Sequence, residues 1–246
     1  MRRLSKFLIF LCANGVIFGL VFAVMFKSGL FKVTHIELKT SEDKAAQAMF
    51  EVHGPGLSLK LARFKGREIW NVDVGEIAAS VHDLSWIRGV SVRRVFPNTI
   101  RLDIDAKPVS AVVVTDAGKL VPISTDSSLL PPLPATKFPD VPIVRDRRIL
   151  RDQKLRSLTV QLLRELPADG LLSAKNIAEV SSDHDDQFWL SLIEDGLQIK
   201  IGIENVPLRA ARVEKVLEYL RSNQLQARVI DADFSKKVVV KLRKDR

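Results

Sequence analysis

Side chains able to do chemistry are few in this sequence, and they are scattered. The histidines are His35, His53, His82 and His184, and no two share the helical or hairpin spacing at which paired imidazoles grip a metal ion. His35 falls in a strand-like run and His82 in a helical one, and neither has an acid or nucleophile placed to work with it, so both read as structural. The densest acidic cluster is SSDHDDQ, Ser181 to Gln187. A calcium loop needs alternate oxygen ligands, a glycine and a distal glutamate. Asp183, Asp185 and Asp186 lack the last two, and a solvated hairpin turn fits better. Ser58 and Lys60 make a loose serine–lysine pair, but nucleophilic serines sit on sharp glycine-flanked turns or beside a base. Ser58 is expected in a loop before a helix. No glycine-rich phosphate loop follows a strand. The reading is a binding module and not an enzyme, with no catalytic residue, metal or cofactor.

The one cysteine, Cys12, lies in the uncharged run FLIFLCANGVIFGLVFAVMF, Phe7 to Phe26. As a helix these residues span about 30 Å, the thickness of a bilayer's hydrocarbon core. A single transmembrane helix is expected over 7–26. A cleaved signal peptide has a shorter apolar region ending in a small-x-small site, whereas bulky Met25 and Phe26 close this one. Arg2 and Arg3 also occur in twin-arginine signals, which are usually less hydrophobic. Arg2, Arg3 and Lys6 precede the run, with Lys27 and Lys32 beyond it, and this favours a cytoplasmic tail at 1–6 with the bulk exported. The exported part then has no disulfide and no thiolate, and is held by its apolar core alone. Gly15, Gly19 and Ala23 put two small-xxx-small steps on one helical face, where another membrane helix could approach closely. Glycine is common in membrane helices, so chance spacing is the competing explanation.

The net charge of +9 raises the question of nucleic acid. No aromatic–basic interleaving or groove-reading motif accompanies it, so no nucleic-acid partner is expected. Dispersed surface cations, with anionic lipid headgroups nearby, account for the charge.

The elements beyond the apolar run follow from periodicity. FKVTHIELKT is a strand, and SEDKAAQAMFEV a helix stopped by Gly54-Pro55-Gly56. VGEIAASVHDL is a second helix, with Ile77, Val81 and Leu84 on one face and Asp73 as N-cap. SWIRGVSVRRVFPNTIRLDID is a hairpin: Val90 and Val92 alternate with Ser91 and Arg93. After the Phe96-Pro97-Asn98 turn, Ile100, Leu102 and Ile104 alternate with Arg101, Asp103 and Asp105. Strand, helix, helix, strand, strand makes a small α+β domain over 31–107, closed at Lys107-Pro108.

The second domain, 108–246, starts with strands at Val109–Thr115 and Lys119–Ile123. The proline-rich SLLPPLPATKFPDVPIV is punctuated by Leu, Phe and Val, and reads as a packed loop in preference to a free tether. A helix carries Leu155, Leu158, Leu162 and Leu166 on one face. Strands follow at Asn176–Ser181, Gln187–Ile193 and Leu197–Ile203. A helix after Asn205 turns Leu208, Val213, Val216, Leu217 and Leu220 inward, and Ala227–Phe234 and Val238–Leu242 are the last strands. The fold class is α+β, with a mixed β-sheet domain carrying helices at the C-terminal end.

The pattern LSWIRGVSVRRVFPNTIRLDIDAKPVSA resembles the end of the POTRA domain in the bacterial division family of FtsQ and DivIB. Trp86, Ile87, Val92, Arg94, Phe96, Pro97, Asn98 and Pro108 carry the resemblance. LRAARVEKVLEYLRSNQLQARVIDADFSKKVVVKL is similar to that family's last helix and last two strands, including the Ile230-Asp231 step. Ser85 stands where the family has proline, and Ala106 where it often has an acid.

The resemblance implies a non-enzymatic scaffold of the divisome in the cell inner membrane at the division septum. Its partners would be FtsB and FtsL at the end of the β domain and FtsK at the POTRA domain, with FtsW and FtsI reached indirectly. It implies a partner-contact role for Phe234. Val238, Val239, Val240, Lys241 and Leu242 have no following element to cover them. At a sheet edge they would template a partner strand. Lys236, Lys237 and Lys241, with Arg243, would favour an acidic one. A paired core strand is the other reading of Val238–Leu242. The Arg93-Arg94 pair is open to solvent, lipid headgroups or a partner. The alternative function is a POTRA-bearing envelope assembly or secretion factor, which usually carries several such repeats and a membrane barrel.

Overall fold

The computed structural model describes residues 27–183, 187–234 and 237–243. The expected membrane helix over 7–26, with Gly15, Gly19 and Ala23, lies outside the described residues. So do residues 184–186 of the acidic turn. Among the described residues no helix is long and apolar enough to cross a membrane. The chain forms two compact units. One takes the residues up to Ser41 with His53–Ala106, and the other takes Glu42–Val52 with the residues from Lys107 onward.

In the first unit the strands are β1 (His35–Thr40), β2 (Ile87–Val95) and β3 (Thr99–Ala106), in the sheet order β1-β3-β2. β1 runs parallel to β3 and β2 antiparallel to it. Strict alternation on β3 buries Ile100, Leu102 and Ile104 and leaves Arg101, Asp103 and Asp105 on the wetter face. That is the pattern of a strand with one face in a core. The helices are α1 (Lys44–Leu61), which contributes its residues from His53 onward to this unit, and α2 (Val74–His82). Asp73 caps α2 by accepting from the Gly75 N–H at 2.7 Å, as its position predicts.

The helix stop at Gly54-Pro55-Gly56 and the loop placement of Ser58 are corrected, whereas Arg93 is solvent-exposed as expected. Gly54-Pro55-Gly56 does not stop the first helix: α1 runs through it to Leu61. Burying Met49, Leu57 and Leu61 on one continuous helix outweighs the hydrogen bond that Pro55 cannot donate. Ser58 therefore lies inside α1 and not in a loop, with its hydroxyl donating to the Gly54 carbonyl at 3.2 Å. The Arg93-Arg94 pair is engaged within the unit. Arg93 pairs with Asp103 across the hairpin. Arg94 donates to the carbonyls of Ile69 (3.0 Å) and Val72 (2.8 Å), tying β2 to the loop before α2.

The second unit is an eight-stranded mixed sheet in the order β11-β10-β9-β8-β7-β6-β4-β5. The strands are β4 (Val109–Val114), β5 (Leu120–Ser124), β6 (Ile143–Val144), β7 (Ile177–Ser182), β8 (Phe188–Leu192), β9 (Gln198–Ile201), β10 (Ala227–Asp231) and β11 (Val239–Leu242). Helices α3 (Gln153–Glu165) and α4 (Val206–Ser222) share one apolar core with it: Leu155, Leu162, Val213 and Leu217 belong with Val180, Leu190, Ile199 and Ile230.

β6 has no periodicity of its own. Two residues at the end of the proline-rich passage join β4 to β7, parallel to both. The passage is packed, with Leu130 and Leu133 buried and Leu133 bridging to Leu120. Asp146, just past β6, caps the following turn. Burial opposes its charge, but hydrogen bonds from the Arg148 side chain, the Ser182 hydroxyl and the Arg148 N–H hold its carboxyl below the ordinary range.

On α4 the inward set is Val206, Ala210, Val213, Leu217 and Leu220, spaced four, three, four and three. Leu208 was expected inward but is 54% exposed, because two residues on from Val206 is the far side of the helix.

Candidate partner-docking edge

β11 lies at the end of the eight-stranded sheet and, among the described residues, pairs on one side only, antiparallel to β10. Its register sets Asp231 opposite Val239, Ile230 opposite Val240 and Val229 opposite Lys241. The direction of each peptide group follows from two neighbouring bonds. The Ala232 N–H donates to the Lys200 carbonyl on the β9 side, and the Arg243 N–H donates to the Gln226 carbonyl on the β10 side. Peptide groups alternate along a strand. Val229 and Asp231 therefore face β11, and Val239 and Lys241 face back towards β10. Val238, Val240 and Leu242 are left with their N–H and C=O groups turned to the open edge.

Side chains divide the other way. Val238 and Val240 pack against the core, while Val239 (37% exposed) and Lys241 stand on the opposite face. Leu242 is half exposed. This strand thus has core-facing valines to hold it in place and free backbone groups to offer. Of the cations expected beside it, Lys237 and Lys241 are exposed, and Lys236 lies outside the described residues.

Phe234 follows the end of β10, 45% exposed, with the Lys237 ammonium 5.2 Å from its ring centroid. The strand stops at Asp231 and not at Phe234, because Asp233 is held from another direction. Arg209 on α4 donates to Asp233 Oδ1 at 2.9 Å, to the Ala232 carbonyl at 3.0 Å and to the Glu204 carbonyl at 2.8 Å. The Gln187 side-chain amide donates to the other oxygen of Asp233. A Cβ on Gly202 would stand 2.4 Å from Asp233 Oδ1, so only glycine lets the carboxylate in. This clamp fixes the chain on which Phe234 sits. Sequence reasoning missed it, although Gly202, standing in LQIKIGI at the kind of position where Gln198 and Lys200 carry long side chains, is a local sign of a close approach.

The sheet face away from the helices carries a cross-strand row that ends at the edge: Trp189, Lys200, Asp231, Val239. The Lys200 ammonium lies 5.8 Å from the Trp189 ring centroid. A cleft of about 850 Å³ opens where β11 ends, lined by Leu192, Leu197, Leu217, Leu220, Leu225 and Arg243 among others. Among the described residues no three acids, histidines or cysteines are gathered to hold a metal ion.

Comparisons with known proteins converge on one family. The FtsQ-type POTRA domain model matches residues 58–105, and the model of the C-terminal region of cell division protein FtsQ/DivIB matches 111–233. β11 lies beyond both. The chain is similar to cell division protein FtsQ of Geobacter sp. (strain M21), 22% identical over 72% of this chain and 66% of that protein, just under two thirds of its length. It is also similar to the protein of that name from Syntrophotalea carbinolica, 21% identical over 89% of this chain and 77% of the relative. For Geotalea daltonii the identity is 21%, over 94% and 81%.

Proposed function

The chain belongs to the FtsQ/DivIB family of bacterial cell-division proteins, and from that premise we propose a non-enzymatic, membrane-anchored scaffold of the divisome. Residues 7–26 anchor it in the cytoplasmic membrane, with residues 1–6 inside and the domains over 31–107 and 108–246 outside. Gly15, Gly19 and Ala23 offer a packing face within the membrane. The open edge of β11 receives an extended segment of the small coiled-coil division proteins FtsB and FtsL. Phe234, Lys237 and Lys241 flank the incoming strand, and Lys236 adds to the positive charge. The POTRA domain meets FtsK, and FtsW and FtsI are reached through the assembled complex, which controls septal peptidoglycan synthesis.

One observation carries this reading. β11 is held by its valines, pairs on one side only among the described residues, and leaves the backbone groups of Val238, Val240 and Leu242 facing outward. An edge of this kind gives affinity through main-chain hydrogen bonds, and its flanking charges select the partner.

Controlled depletion of the protein tests the cellular role. Long, undivided filaments with segregated nucleoids are expected. Normal division with loss of outer-membrane proteins would overturn the scaffold reading and favour an envelope assembly factor.

A further inference from the structure

Three segments of the first unit meet where β1 begins. The Val33 N–H donates to the Arg67 carbonyl, the Gly66 N–H to the Val33 carbonyl and the Ile69 N–H to the Phe31 carbonyl. The next residue, Thr34, donates its N–H to the Asn98 carbonyl in the β2–β3 turn. Residues 27–34, 62–70 and 96–98 therefore form one end of the unit. The opposite end holds Asp83, Ile87 and Ala106.

This end has an unusual composition. Residues 27–34 and 62–70 carry five cations, Lys27, Lys32, Arg63, Lys65 and Arg67, against a single acid, Glu68. All five are exposed. Arg63 pairs with Glu76, and Glu68 accepts from the Trp70 indole and the Asn71 amide. Lys27, Lys32, Lys65 and Arg67 have no ion pair among the described residues. The exposed large hydrophobic residues among the described residues of this unit are Leu30 (39%), Leu59 (78%) and Phe96 (62%). Leu30 and Phe96 lie in these segments, and Leu59 is on the last turn of α1, which leads into them. Elsewhere in the unit Arg88 pairs with Asp105, Arg93 with Asp103 and Arg101 with Glu37, and the exposed charges without an ion pair among the described residues are of mixed sign, Lys39 and Lys60 against Asp73 and Asp83.

We propose that this end is a membrane-contact surface that seats the first unit on anionic lipid headgroups, with Phe96 and Leu30 entering the interface and Lys27, Lys32, Lys65 and Arg67 engaging phosphate. The inference rests on the anchored reading of residues 7–26. The uncharged run stops at Phe26, directly before Lys27, so the basic end is the part of the unit the chain holds nearest the bilayer. Apolar side chains rimmed by cations suit the headgroup–acyl boundary, and each cation near an anionic surface contributes about a fivefold preference for it.

The test uses the full chain in lipid nanodiscs, with Cys12→Ser and an apolar fluorophore on Phe96→Cys. Quenching by spin-labelled lipid is read in phosphatidylcholine with and without phosphatidylglycerol. Strong quenching is expected only with the anionic lipid, and little from a second label on Asp83→Cys at the far end. Lys65→Glu with Arg67→Glu should lower the seated-to-unseated equilibrium constant by at least about 25-fold and return quenching towards the neutral-lipid level, with an unchanged melting profile. Equal quenching in both lipids, or quenching indifferent to the charge reversal, overturns the proposal while leaving the anchor intact. A chain that does not co-elute with the nanodiscs refutes the anchor, and the surface contact with it.

Discussion

Val240→Pro separates the outward-facing backbone groups of β11, proposed to pair with a partner strand, from the bonds that hold β11 to its own sheet. The Val240 peptide group faces the open edge, whereas Val239 and Lys241 face β10. A proline at 240 removes one outward N–H and puts its ring where an incoming strand would lie, and edge strands tolerate proline in this orientation. A strand paired at this edge as proposed would lose a bond with a net value of about 1 kcal/mol and be left with a desolvated carbonyl costing about 1–3 kcal/mol more. A sum of about 2–4 kcal/mol weakens binding roughly 30- to 700-fold, at a factor of ten per 1.4 kcal/mol. Val239→Pro, the more obvious edge substitution, strikes the bonds to β10 and disturbs the strand itself. The assay is titration of purified full-length chain with the coiled-coil partner, alongside circular dichroism and thermal melting. A folded Val240→Pro variant that binds with unchanged affinity would refute edge pairing.

Phe234→Ala should cut partner affinity by more than about 1 kcal/mol in the same titration, as for an aromatic contact residue. Its ring is 45% exposed, so folding stability in urea should move by less than about 0.5 kcal/mol. Gly56→Ala should stabilise the protein by about 0.5–1 kcal/mol in urea unfolding, because Gly56 lies inside α1 with open space where a Cβ would go. Destabilisation would argue against a helix continuous through Gly54-Pro55-Gly56. Asp146→Asn tests the depressed carboxyl beside β6. A carboxyl whose pKa is lower folded than unfolded stabilises the protein above the unfolded value, near 4, and loses that contribution as pH falls through the folded value. The wild-type advantage over Asp146→Asn should hold at neutral pH and shrink below about pH 4 in pH-dependent unfolding. A gap that widened on acidification would contradict the assigned hydrogen bonds.

Local pattern determined several features by itself. Alternation in RLDID laid out β3 and its buried face, and Asp73 before VGEIAASV placed a cap, because strand faces and N-caps depend on residues within a few positions. The resemblance to the FtsQ/DivIB family was carried by the hairpin and the last helix, where local pattern is strongest.

Other features were settled only by tertiary contacts. α1 continues through Gly-Pro-Gly because buried Leu57 and Leu61 outweigh local propensity. β6 exists as two residues between β4 and β7, since a strand with ladders on both sides needs no periodicity of its own. Arg94 reads as a surface cation until the carbonyls of Ile69 and Val72 are brought to it from more than twenty residues away. Valines and lysines could be read at the chain's last strand, but not which peptide groups point outward. That direction is set by the register of β11 on β10, and register comes from pairing between segments distant in sequence.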